Sequence, residues 1–169
     1  MEANEKIILT NIQPPVGANS DAVANTIIAR IGLMPRKQGS TPHMFRTLIE
    51  FYERAKKATA QKDPKLAVMT VEEMAIFAKI TRQTMYEYLQ RWLELTLIQK
   101  VSYIDSNNKV IIGYKLNGSS IEEAFEKAKK KIVDNLDETQ KLIGDLQKML
   151  KNEKISASMK KQEEPSESL

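Results

Sequence analysis

The stretch from Thr70 to Leu95 narrows the available folds more than any other part of this chain. Thr70 is followed three positions on by Glu73, the spacing at which each side chain can satisfy the other residue's free backbone N–H, so a helix is predicted from Val71 to about Ala78. Lys79-Ile80 leaves room only for a turn, and Thr81 can cap another helix running from Arg82 to about Leu95. Two helices separated by so short a turn cannot lie antiparallel; they must cross steeply. On the second of them Met85, Leu89 and Trp92 recur at steps of four and three and Leu95 continues the stripe, while Arg82, Gln83, Tyr86, Glu87, Gln90 and Arg91 take the opposite side.

The flanks extend the pattern. Upstream, Thr41-Pro42 reads as an N-cap with proline at the first helical position, opening a helix whose apolar stripe is Phe45, Leu48, Ile49 and Tyr52 and which fades before Asp63-Pro64. Leu66-Ala67-Val68-Met69 is a candidate short strand. Downstream, the β-rich runs Leu97–Ile104 and Lys109–Leu116 are joined by Asp105-Ser106-Asn107-Asn108, a β-hairpin signature. Helix, strand, helix, helix, hairpin is the order of a winged-helix plan, a mainly α fold with a small β-hairpin. Residues 1–40 are read as a partly ordered extension: Ile7-Ile8-Leu9 as a short strand, a break at Pro14-Pro15-Val16-Gly17, a helix capped by Asp21 through Ile27, Ile28 and Ile31, and a loop from Met34 to Ser40.

After residue 117, Ser119-Ser120 caps a long helix with a single apolar seam: Ile121, Phe125, Ala128, Ile132, Leu136, Thr139, Ile143, Leu146 and Leu150. The steps of three and four are heptad-like, with one additional four-residue step between Ile132 and Leu136. Gly144 is the expected weak point, since glycine costs about 1 kcal/mol against alanine in a helix interior. Such a seam needs a second helix to cover it, most simply its own copy across a two-fold axis. The polar stretch 155–169 is expected to be disordered. The domain reading is therefore 1–40 extension, 41–117 winged helix, 118–154 coiled-coil dimerisation helix and 155–169 tail.

Charge and composition bound the function. The net charge is +4, but residues 36–118 hold fourteen basic against eight acidic side chains, whereas 119–154 hold eight of each. The positive excess thus falls in the winged-helix segment, which suggests a polyanion partner for that segment. With no cysteine and a single histidine, His43, thiol chemistry and histidine- or cysteine-rich metal sites lack their raw material, and no metal or cofactor is expected. Neither a Gly-rich phosphate loop nor a His-Glu metal spacing nor a serine nucleophile elbow is present, so the protein is read as a non-enzyme. No apolar run approaches membrane-spanning length and the first residues lack a secretory pattern, which places the expected home in the cytoplasm, with the nucleoid.

The segment Met69-Thr70-Val71-Glu72-Glu73-Met74-Ala75, with Thr81-Arg82-Gln83-Thr84-Met85-Tyr86-Glu87-Tyr88-Leu89 and Leu95-Thr96-Leu97-Ile98-Gln99-Lys100-Val101, resembles winged helix-turn-helix transcriptional regulators. Tyr114-Lys115-Leu116, followed by Ile121-Glu122-Glu123-Ala124 and a charged helix, is similar to the archaeal TrmB type. The resemblance spans about residues 41–152 and implies a recognition helix and a first wing strand. Thr96 stands where that family usually has glycine. The effector domain of that type is not expected after the long helix, so no effector ligand is carried over.

On this reading the DNA-contacting residues are Lys79, Thr81, Arg82, Gln83, Thr84, Tyr86, Glu87, Gln90 and Arg91, because a helix entering the major groove turns its first residues and exposed side to base edges. Arginine can give two donors to guanine; glutamine can pair with adenine. Glu87 fits near phosphates only by accepting from a cytosine amino group or pairing with Arg91. Lys109 at the wing tip and Arg36-Lys37 in the loop are further candidates; for Arg36-Lys37 the ordinary solvated-loop reading is favoured. Trp92 is read as core, and His43 as capping or surface. The expected function is a sequence-specific regulator of transcription that binds double-stranded DNA as a homodimer. Two alternatives remain: a protein-interaction adaptor, favoured by the modest charge, the sparse wing and an exposed Leu93, and a nucleoid-packaging protein with equal affinity for all duplexes.

Overall fold

The computed structural model describes residues 6–34 and 43–163. The residues up to Lys129 form one compact unit and those from Lys130 a second. The elements are α1 (Ser20–Arg30), α2 (Met44–Gln61), a 3₁₀ turn (Pro64–Ala67), α3 (Val71–Ala78), α4 (Arg82–Glu94), β1 (Ile98–Ile104), β2 (Val110–Leu116) and α5 (Ile121–Glu163).

In the first unit α3 and α4 start where their threonines dictate. The Thr70 hydroxyl accepts from the Glu73 N–H (3.2 Å) and the Thr81 hydroxyl from the Thr84 N–H (3.1 Å). The reciprocal half of the first box does not form. The Glu73 carboxylate instead meets Arg54 of α2, whose guanidinium also pairs with Glu50 (2.9 Å) and donates to the Val68 carbonyl oxygen (2.9 Å). Arg54 thereby ties α2 to the start of α3.

Helices α1 to α4 all end in the same way. A left-handed residue closes each, directly after the helix at Lys62 (φ 53°) and Lys79 (φ 54°) and one residue further on at Gly32 (φ 73°) and Thr96 (φ 57°). In each, the next N–H reaches back to a carbonyl of the last turn, from Leu33 to Ile28, Asp63 to Ala58, Ile80 to Ala75 and Leu97 to Trp92. Glycine is required at the first of these, because a Cβ on Gly32 would lie 2.9 Å from the Cβ of Ile8. The other three carry side chains at a conformational cost of about 1–2 kcal/mol each.

The core joins α1, α2, α3, α4 and the base of the hairpin. Ile28, Leu33, Met44, Phe51, Met69, Met74, Met85 and Trp92 are all fully buried. Trp92 lies against Phe51, ring centroids 6.1 Å apart. Buried Thr47 donates its hydroxyl to the Met74 carbonyl oxygen (3.2 Å). The hairpin pairs Ile98 with Leu116 through to Ile104 with Val110. Met69 adds one further antiparallel bridge, exchanging 2.7 Å hydrogen bonds with Tyr114. Gly113 makes this approach possible, since a Cβ there would sit 2.9 Å from the Met69 carbonyl oxygen.

Several expectations are corrected. Ile7–Leu9 is not a strand, and α1 is capped by Asn19, whose side chain accepts from the Ala22 N–H (2.9 Å), not by Asp21. Residues 6–34 are no appendage, because Ile28 and Leu33 lie in the core of the first unit. The Leu66–Met69 strand shrinks to the Met69 bridge behind a 3₁₀ turn that proline favours. Helix α2 begins at Met44 with His43 at the N-cap position and no side-chain cap bond; Thr41 and Pro42 lie outside the described residues, as do Pro35–Ser40 of the expected loop. Helix α5 runs unbroken through Gly144 and on to Glu163, so 155–163 is helical where disorder was expected.

Candidate nucleic-acid interface

The face in question is the side of α4 opposite Met85, Leu89 and Trp92. Because those three are 0–3% exposed and face inward, helical geometry turns Arg82, Gln83, Tyr86, Glu87 and Gln90 outward, and all five are exposed. Arg82 anchors this edge. Its Nε lies 3.1 Å from a Glu72 carboxylate oxygen of α3, a terminal nitrogen donates to the Tyr86 hydroxyl (3.4 Å), and its guanidinium sits 5.5 Å from the Tyr86 ring centre. The Tyr86 hydrogen bond first, and then the Glu72 charge, hold Arg82 still more firmly in its charged form. Both side chains of the Arg82–Glu72 pair remain at least half exposed, so the pair contributes little to stability and can yield to a competing anion.

Lys79 stands at the turn before α4, left-handed and exposed. Its charge and that of Arg46 reach His43, which desolvation in the first place, and these two cations after it, hold below the usual histidine range. His43 is therefore neutral at pH 7, and its Nδ1 is buried without a hydrogen-bond partner among the described residues.

Not every expected contact residue stands free. Thr81 and Thr84 spend their hydroxyls on one another (2.8 Å) and on the helix start. Arg91 does not pair with Glu87. It is only partly exposed, and it donates to the Gly32 carbonyl oxygen (3.0 Å), tying α4 to the segment after α1. Glu87, Gln90 and Arg91 also border a cleft whose other wall includes Lys6 and Ile8. The C-terminal half of this face is therefore shared with the N-terminal segment. Leu93 is partly buried rather than exposed. Arg36 and Lys37 lie outside the described residues.

The hairpin tip is built by Asp105, whose carboxylate accepts from the N–H groups of Asn107 and Lys109 (both 2.9 Å), with Asn108 left-handed (φ 60°). Lys109 is exposed. Beside it the tip shows Ile104, Val110 and Ile112, 53–67% exposed, an apolar surface the sequence reading had not singled out.

In the second unit Leu136, Ile143, Leu146 and Leu150 of the seam are exposed, as is Thr139, with Leu142 and Met149 exposed beside them. Ile155 and Met159 leave this stripe for another side of the helix. The seam's first members belong to the first unit: Ala128 is buried there and Ile121 and Phe125 are partly buried, so Ala128 is not free for a partner. Ile132 is partly buried. Among the described residues no group of three His, Cys, Asp or Glu side chains could hold a metal ion, and no helix is long and apolar enough to cross a membrane.

Compared with family models, curated proteins and solved structures, the chain matches none.

Proposed function

We propose that the chain is a winged-helix regulator of transcription, similar in plan to the TrmB type, that binds double-stranded DNA as a homodimer. The observation that carries this reading is the start of α4: a capped helix with Lys79, Arg82, Gln83 and Tyr86 exposed at its positive end and Met85, Leu89 and Trp92 buried behind. A helix so presented can enter a major groove, with its first side chains at base edges and its flanking cations at phosphates. The heptad-like exposed stripe Leu136–Leu150 is the surface through which a second copy would join. Two such copies would then address successive major grooves about 34–36 Å apart.

The test is duplex binding by the full chain and by R82A/Q83A at several salt concentrations. The expected result is wild-type affinity that falls as salt rises, and a loss of about tenfold or more in the variant, since a good base contact is worth about 1–3 kcal/mol. Unchanged affinity in the variant overturns the reading. A second reading, a protein-interaction adaptor, is favoured by the exposed Ile76, Ile104, Val110 and Ile112 on the same unit, which suit a protein surface better than a phosphate backbone. Absence of binding to mixed genomic DNA at low salt would leave the adaptor standing.

A further inference from the structure

A cleft of about 420 Å³ opens in the first unit between the end of α2, the base of the hairpin and the start of α5. Three lysines from three different elements border it: Lys62 just after α2, Lys115 on β2 and Lys127 on α5. Among the described residues none that lines it carries a carboxylate, and the ammonium groups of Lys62 and Lys115 have no ion-pair partner. The Glu123 carboxylate beside Ser119 answers Lys127, whereas the two remaining like charges, Lys62 and Lys115, border one hollow with no anion of their own and repel one another unless a ligand supplies it.

Lys127 is already fixed in place. Its Nζ donates to the backbone oxygen (2.7 Å) and to the side-chain oxygen (3.1 Å) of Asn117, leaving one N–H for a ligand. The amino end of α5 is not the anion holder, because the Glu123 carboxylate already accepts from the N–H and hydroxyl of Ser119 (2.9 and 2.6 Å). Ala58, Pro64 and Leu116 line the same cleft as the lysines, so its wall is part apolar and part cationic. That combination fits a small molecule with an apolar body and a multiply charged head, and the cleft has the size of an ordinary small-ligand site. A duplex offers its phosphates on a convex surface and has no apolar body to lay against such a wall.

We propose that this cleft is a binding site for a small organic phosphate, its phosphate held by Lys62, Lys115 and Lys127 and its apolar portion laid on Ala58, Pro64 and Leu116. The site is separate from the α4 face and does not depend on DNA binding by that face.

The test titrates phenyl phosphate, and separately inorganic phosphate, into the ¹⁵N-labelled full chain, following backbone amides. The expected result is saturable shifts confined to residues 58–63, 115–119 and around Lys127, with inorganic phosphate moving the same amides at weaker affinity for want of the apolar body. K62Q/K115Q should weaken phenyl phosphate about tenfold or more, while K62R/K115R keeps it, because the charge is retained. R82A/Q83A should bind phenyl phosphate like the wild type, which separates this site from the DNA reading whichever way that reading falls. Shifts that never saturate, that scatter over all lysine-rich surfaces or that survive in K62Q/K115Q would overturn the proposal. So would displacement of phenyl phosphate by a short duplex in R82A/Q83A, which would make the cleft a polynucleotide contact.

Discussion

The two units of this chain spend their apolar residues in opposite ways. In the first, Phe51, Met85 and Trp92 are wholly inside, and even the partly polar Thr47 is buried with its hydroxyl satisfied. In the second, Leu136, Leu142, Ile143, Leu146, Met149 and Leu150 are 49–66% exposed along α5. A lone helix gains little stability from its backbone alone, and most helical stability in proteins comes from packing an apolar face. The first unit thus contains the means of its own stability, while the second carries a face whose burial requires another surface. The two proposed binding surfaces divide in the same way: the exposed edge of α4 and the lysine cleft both belong to the self-sufficient unit.

The sharpest way to break this contrast is Trp92→Ala. Removing a fully buried indole packed on Phe51 should lower the stability of the first unit by about 3–5 kcal/mol, read by denaturant unfolding. If the contrast is sound, sedimentation will show self-association through the second unit unchanged. The reverse experiment is I143D/L146D. Two carboxylates in the seam should weaken self-association about a hundredfold or more by sedimentation, while the first unit unfolds at the wild-type denaturant midpoint. A wild-type chain that stays monomeric at high micromolar concentration would refute the homodimer. The smallest expected effect is Thr96→Gly, which relieves a β-branched side chain of a left-handed backbone and should raise the stability of the first unit by about 1 kcal/mol without touching association. No gain there would mean that the conformational entropy glycine adds to the unfolded chain cancels the relief, because the Asn117 side-chain hydrogen bond to the residue 96 carbonyl oxygen (2.9 Å) is the same in both proteins.

Much of the first unit was legible in local spacing. The caps at Thr70 and Thr81, the Met85–Leu89–Trp92 stripe and the hairpin about Asp105–Asn108 each depend on residues within a few positions of one another, and the structure bears them out. What local spacing could not show was who would answer whom across the chain. Glu73 was expected to close its own cap and instead meets Arg54, nineteen residues away, because a cation offers a carboxylate more than a backbone N–H does. Arg91 was expected on the outward face and is drawn to the Gly32 carbonyl oxygen. The lysine cleft was invisible for the same reason, since Lys62, Lys115 and Lys127 are far apart in the chain and each alone reads as solvated.

The amino-acid sequence by itself determined where α3, α4 and the hairpin begin and end and which edge of α4 faces inward, because caps, turn residues and helical periodicity act over at most a turn or two. Only the tertiary structure decided that α1 belongs to the core and that Ala128 is spent inside the first unit. Those outcomes depend on contacts between segments distant along the chain, and burial and charge are properties of the surroundings that packing creates, not of the residue alone.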